Sequence, residues 1–198
     1  MTKLEQIKTD LYAQNLRRIN HIEGVAKCAL ELKKRHFPSI SDEKVLEAAY
    51  MHDFTKEYEN EKHYEIFEKY GVALDECEKL SPKLFHAKSA YALAKNVYLL
   101  DDDVCTAILY HTTGRAGMTD LEKIIYLADY IEENRTFISC VDVRNTYLML
   151  VEKNYPTPID SAILYSLDLT INDLLEEKRM IHRDTFEARN YLIKEGIK

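Results

Sequence analysis

Tryptophan is absent from this 198-residue chain, and glycine (five) and proline (four) are scarce. So few chain-turning residues leave little room for the tight hairpins of an all-β protein or for a glycine-rich phosphate loop. The four cysteines, Cys28, Cys77, Cys105 and Cys140, stand far apart without a C-x-x-C pair. That scatter argues for reduced thiols in a cytoplasmic protein and against a disulfide or zinc framework. No apolar run approaches the ~18 residues that span a bilayer, and the opening M-T-K-L-E-Q-I-K-T-D lacks the apolar segment of a signal peptide, so no membrane partner is expected. Positive charge is not in excess: 27 Lys and Arg stand against 34 Asp and Glu, for a net charge of −7. This balance excludes coating a nucleic-acid polymer through bulk charge, but it allows a small phosphorylated ligand in a local basic pocket.

What is present is a chain 46 % hydrophobic and 31 % charged, too apolar for a disordered protein. A globule of this size buries about 70 % of its unfolded surface and needs no staple to fold. Apolar residues recur at spacings of three and four, the helical period, with no convincing alternating strand and no internal repeat. The periodicity predicts helices over about 4–16, 19–35, 42–52, 59–70, 86–99, 101–111, 119–134, 141–153, 158–180 and 183–195. Phe37-Pro38, Thr157-Pro158 and the Gly114–Gly117 pair supply the breaks. No linker divides the chain. The expectation is one all-α domain spanning 1–198.

Polar residues fall on the inward faces of these helices. His21 shares a face with Val25, Cys28 and Leu32; His52 with Val45, Ala48 and Ala49; His86 with Ala90, Leu93 and Val97; His111 with Val104 and Ile108. Asp129 takes the inward position after Leu121, Ile125 and Ala128. Burying an unpaired carboxylate costs several kcal/mol, and a metal ion held by imidazoles and carboxylates would satisfy these groups together. His63 lies on an apolar face too, but without an adjacent acid. His36, at a helix end, and His182, in a loop before Asp184, read as surface residues. Lys56, Arg115 and Arg135 are candidate phosphate contacts.

The ordered series His21, His52-Asp53, Asp129 resembles the HD superfamily of metal-dependent phosphohydrolases. The stretches H-D-F-T-K (52–56), Y-H-T-T-G-R-A-G-M-T (110–119), L-E-K-I-I-Y-L-A-D-Y-I-E (121–132) and I-H-R-D-T-F-E-A-R-N-Y-L (181–192) are similar to the YqeK family. That resemblance covers nearly the whole chain. It implies an HD-type helical bundle with its core over about 18–135 and the helices of 141–198 packed on it. It also implies symmetric hydrolysis of diadenosine tetraphosphate to two ADP, with a divalent or trivalent transition metal, iron above others, as cofactor. By resemblance His21, His52, Asp53 and Asp129 hold the metal, and Asp53, Lys56, His86 and His111 serve catalysis. The substrate-contact set is His21, Thr55, Lys56, His86, His111, Arg115 and Arg135. For His86 and His111, phosphate contact is preferred to a second metal site. The rival readings are an HD phosphohydrolase of a nucleoside monophosphate, a dNTP or a cyclic nucleotide, and a non-catalytic nucleotide-binding domain. A homo-oligomer is left open.

Overall fold

The computed structural model describes residues 1–14 and 16–197. Among them are eleven α-helices, a single 3-10 turn and no strand. In chain order the helices are α1 (Lys3–Ala13), α2 (Ile19–His36), α3 (Asp42–Met51), α4 (Asn60–Tyr70), α5 (Glu76–Lys79), α6 (Phe85–Asn96), α7 (Asp102–Tyr110), α8 (Asp120–Ile131), α9 (Ile138–Glu152), α10 (Pro158–Glu176) and α11 (Arg183–Lys194). The 3-10 turn, Pro82–Leu84, leads into α6.

The local chemistry sets these boundaries. Thr2, Asp75 and Thr119 each close a capping box with a glutamate three residues on, which satisfies amide groups that a helix start leaves free. Phe37, held out of helix by Pro38, ends α2, and Pro158 occupies the first turn of α10. The expected helices are all present. The short α5 and the 3-10 turn are additions, because four residues carry no readable period. The expected 158–180 helix stops at Glu176.

Helix α8 is the axle. Leu121, Ile124, Ile125, Leu127, Ala128 and Ile131 are all buried, and the helix packs on α2, α3, α7, α9 and α10. One hydrophobic cluster runs from Ile7 to Leu192, so the C-terminal helices share the core of the N-terminal ones. No helix among the described residues is long and apolar enough to cross a membrane.

Candidate active site

Five segments bring their polar residues to one point, each close to a helix end. His21 sits in the first turn of α2, His52 caps the C-terminus of α3 with Asp53 next, His86 opens α6, His111 caps the C-terminus of α7, and Asp129 lies in the last turn of α8. Asp53 stands between the histidines. Its Oδ2 is 3.6 Å from His21 Nε2 and 3.6 Å from His52 Nε2, while Oδ1 is 3.2 Å from His86 Nε2 and 3.7 Å from His111 Nε2. Asp129 Oδ1 lies 3.1 Å from His21 Nε2 and 3.8 Å from His52 Nε2. Each oxygen of Asp53 thus serves a different pair of rings.

Backbone carbonyls fix three of these rings. His52 Nδ1 donates to Ala49 O at 2.6 Å, His86 Nδ1 to Lys83 O at 2.8 Å and His111 Nδ1 to Ile108 O at 2.7 Å. A carbonyl only accepts, so the proton of each neutral ring sits on Nδ1 and the Nε2 lone pair points inward. His21 is held by a carboxylate instead, its Nδ1 lying 3.0 Å from Glu132 Oε1. His21 Nε2, His52 Nε2 and Asp53 Oδ2 are buried without a directed hydrogen bond among the described residues. They are close enough to share one ion, and so are the ligand atoms of Asp53, His86 and His111. Inward lone pairs, carboxylates on both sides and unsatisfied buried atoms are the donor set a transition metal needs.

Two of the rings have the protonation state of metal donors. Burial drives His52 down to about 3 and His86 down to about 4, which leaves both rings neutral. Burial alone would raise Asp53, but the surrounding imidazoles of His52, His111, His21 and His86 hold it well below the usual carboxylate range. Asp129 is likewise held low against burial, chiefly by Arg135. Burial opposes protonation of His21, yet the facing carboxylates of Asp129 and Asp53 lift it to about 9, and a bound metal ion would take the place of that Nε2 proton.

Three cations ring the cluster in a chain that is acidic overall. Arg18 approaches Asp53 Oδ2 to 2.6 Å, Arg135 bonds the carboxylate of Asp129, and Lys56 Nζ lies 3.1 Å from His86 Nε2 and 3.8 Å from Asp53 Oδ1. The structure therefore brings together His21, His52, Asp53, Asp129, His86, His111, Lys56 and Arg135. Arg18 joins them; sequence reasoning missed it because nothing in the pattern before α2 marks it.

An outer layer holds the inner one. Glu132, almost fully buried, orients His21 with one oxygen and accepts the Asn134 amide at 2.7 Å with the other. Arg144 of α9 reaches back to the carbonyls of Ile131, Glu132 and Arg135, pinning the loop that carries Glu132 and Arg135. Both were missed, although Glu132 lies one turn after Asp129. Thr55 donates to His86 O at 2.9 Å and meets Ser89 Oγ at 2.7 Å, and Ser89 in turn meets His63 Nδ1 at 2.8 Å.

Some expectations need correction. Thr55 is fully buried, and its hydroxyl is bonded within this frame. Arg115 does not join the cluster, because both of its bonded nitrogens are held at 2.9 Å by buried Glu122. His182 is buried against Asp75 and Glu78 instead of lying on the surface, and half-buried His36 bonds Tyr147 Oη at 2.7 Å. His63 is a core histidine, as its lack of an acidic neighbour suggested.

The sequence profile of the HD domain matches residues 18–134, the span holding every histidine and carboxylate of the cluster. The chain is 34 % identical over 174 residues to the symmetrical bis(5'-nucleosyl)-tetraphosphatase of Bacillus subtilis, covering 87 % of this chain and 88 % of that protein. It is 37 % identical over 180 residues to the protein of that name from Halalkalibacterium halodurans, covering 90 % of each. The chain belongs to the HD-domain family, with the YqeK-type symmetrical bis(5'-nucleosyl)-tetraphosphatases. The family likeness extends to three dimensions. The crystal structure of a predicted HD superfamily hydrolase involved in NAD metabolism from Clostridium acetobutylicum superposes with a TM-score of 0.83 at 36 % identity, over 96 % of this chain and 97 % of that one. The HD residues of this chain are thus the ones that the fold brings together, and the family's C-terminal block lies in α11 and the turn before it.

Proposed function

We propose that this chain hydrolyses dinucleoside tetraphosphates symmetrically, diadenosine tetraphosphate giving two ADP, in the cytoplasm. The observation that carries the reading is the convergence of four Nε2 atoms and two carboxylates inside a ring of Arg18, Lys56 and Arg135, in a chain aligned along nearly its whole length with enzymes named for this reaction. Residues 18–135 carry the chemistry, and the helices beyond 141 complete the body. His21, His52, Asp53 and Asp129 would hold a transition metal, for which we favour iron. When bound, such an ion supplies Lewis acidity and makes water acidic enough to act near neutral pH.

The chain's own residues then bind and orient the polyphosphate. Lys56 and Arg135 neutralise phosphate oxygens, and Arg18 does so beside Asp53. Asp53 can accept a proton from the attacking water through the oxygen it turns toward His86 and His111. Beside those two histidines, Lys56 steadies the developing charge. A second reading of the pair, as part of a second ion site with Asp53, is favoured by one observation. Their Nε2 atoms lie 3.1 Å apart, two inward lone pairs that call for a cation between them. Rival substrates are separated by presenting metal-reconstituted protein with diadenosine tetraphosphate, AMP, dATP and cyclic AMP. Turnover of the first at least a hundredfold above the others is expected; preference for any other overturns the assignment.

A further inference from the structure

The C-terminal block I-H-R-D-T-F-E-A-R-N has no part in the cluster, yet it builds one wall of a cavity of about 640 Å³ beside it. Thr112 connects the two spaces: it lines the cavity, and its Oγ1 is 3.1 Å from His111 Nε2. Leu74, Leu84 and Leu109 give the cavity an apolar side, and Tyr110 adds an aromatic ring. The volume falls in the range of about 300–1,000 Å³ used by small-molecule sites.

The polar end has a defined pattern of free atoms. Asp75 and Glu78 close the capping box of α5, so Asp75 Oδ1 accepts the Glu78 amide at 2.8 Å and Glu78 Oε2 accepts the Asp75 amide at 2.7 Å. Lys88 also donates to Glu78 Oε2, at 2.6 Å. One oxygen of each acid remains, Asp75 Oδ2 and Glu78 Oε1, at 3.4 Å and 3.5 Å from His182 Nε2. The His182 side chain is only 9 % exposed, and its Nε2 has no hydrogen-bond partner among the described residues. His182 Nδ1 accepts the Asp184 amide at 3.2 Å, which places the proton of the neutral ring on Nε2. A metal ion is thereby disfavoured, since the nitrogen facing the carboxylates is a donor. Two acceptors and one donor converging on a spot match a vicinal diol, whose two hydroxyls donate to the carboxylates while one oxygen accepts from the ring. Asp75, Glu78, Asp184 and Glu187 outnumber the cavity's cations, Lys88 and Arg183, which are themselves paired with Glu78 and Glu187, so the cavity disfavours phosphate.

We propose that this cavity takes the second nucleoside of the dinucleoside tetraphosphate, with Asp75, Glu78 and His182 binding its ribose cis-diol. The inference rests on the proposed function, because it names where the other end of that substrate lies. It assigns the C-terminal block a role in recognition and makes the site selective for ribonucleosides.

The test is a cycle of substrate against side chain, run with the metal-loaded enzyme. The ratio of kcat/KM for diadenosine tetraphosphate to that for bis(2'-deoxyadenosine) tetraphosphate is measured for the wild type, Asp75→Asn and His182→Asn. Asparagine at 182 keeps a side-chain cap for α11 while removing the reaching nitrogen. The ribo preference should fall about tenfold in each variant, through a higher KM for the ribo substrate, as expected for losing a hydrogen bond to a charged or buried group. An equal loss on both substrates would mark the residues as structural only and overturn the proposal, as would an unchanged ratio. A wild type that turns over neither substrate refutes the proposed function instead. The cavity is then tested by saturation-transfer NMR with adenosine and 2'-deoxyadenosine. Adenosine binding that His182→Asn weakens supports the site, and equal binding of the two nucleosides refutes it.

Discussion

A Cβ placed on Gly24 would lie 2.2 Å from Oε2 of Glu132, the carboxylate that orients His21. Gly24 follows His21 by three residues, on the same side of α2, and its missing side chain is the space Glu132 occupies. Glu132 cannot simply swing away, because the Asn134 amide and the His21 ring hold both of its oxygens. Gly24→Ala should therefore disturb the site more than the fold, and alanine even favours the helix. Metal affinity and turnover are expected to fall about 10–100-fold, the usual effect of losing an outer-shell partner. Metal analysis beside far-UV circular dichroism checks this, and a variant with normal metal content would refute the link.

Lys56 stands beside His86 and Asp53, where the proposed reaction brings phosphate, and burial lowers its pKa from the ordinary lysine value. Lys56→Met should lower kcat by roughly 10²–10³, the size associated with removing one charge-stabilising donor. It should retain its metal, because His21, His52, Asp53 and Asp129 stay in place. Steady-state kinetics together with metal content separates the two effects.

Thr55 ties the segment after α3 to the α6 backbone, and so sets Asp53 against His86. Thr55→Val leaves His86 O and Ser89 short of a partner inside the protein. A loss of about 1–3 kcal/mol follows, or roughly 2–4 °C in Tm per kcal/mol for a chain of this size. Thr55→Ser keeps the hydroxyl and should recover most of both stability and kcat. Calorimetry and kinetics on the pair of variants test this; failure of serine to rescue would show that the methyl group matters, not the bond.

The Glu78 cluster gives a pH signature. Burial would raise Glu78, but the facing His182 ring and the hydrogen bonds from Lys88 and the Asp75 amide bring it down from 4.5 to about 2. A carboxylate depressed on folding stabilises fully above its unfolded value and loses that contribution as pH falls through its folded one. The Tm gap between wild type and Glu78→Gln should hold above about pH 4.5 and close as the pH approaches 2. His182, raised by the facing Glu78 carboxylate, works in the opposite sense. Its share is complete at low pH and fades as the pH rises through its folded value, so the gap should narrow again on the alkaline side. Thermal melts across the pH range measure both edges.

The helices were legible because α2, α6, α7 and α8 each repeat an apolar face over several turns, and the site was legible because polar residues interrupt those same faces. What stayed hidden rests on contacts between distant segments. Glu132 meets His21 from 111 residues away, and Arg144 acts on backbone carbonyls, which leave no trace in residue type. Gly24 was a readable signal, a glycine inside a strong helix, but its reason, Glu132, lies just beyond the end of α8. His182 was misread because Asp184 was its only visible neighbour, whereas its burial comes from Asp75 and Glu78 on and before α5. Arg115 stands apart from the cluster because Glu122, seven residues on, holds its guanidinium, a pairing that its turn-rich setting did not announce.

The most direct test strips the protein of metal, restores iron, and follows diadenosine tetraphosphate by chromatography at each stage. The account predicts no turnover after stripping, recovery with iron, ADP as the sole nucleotide product, and no recovery in Asp53→Asn. AMP together with ATP from the restored enzyme, or full activity in Asp53→Asn, would contradict it.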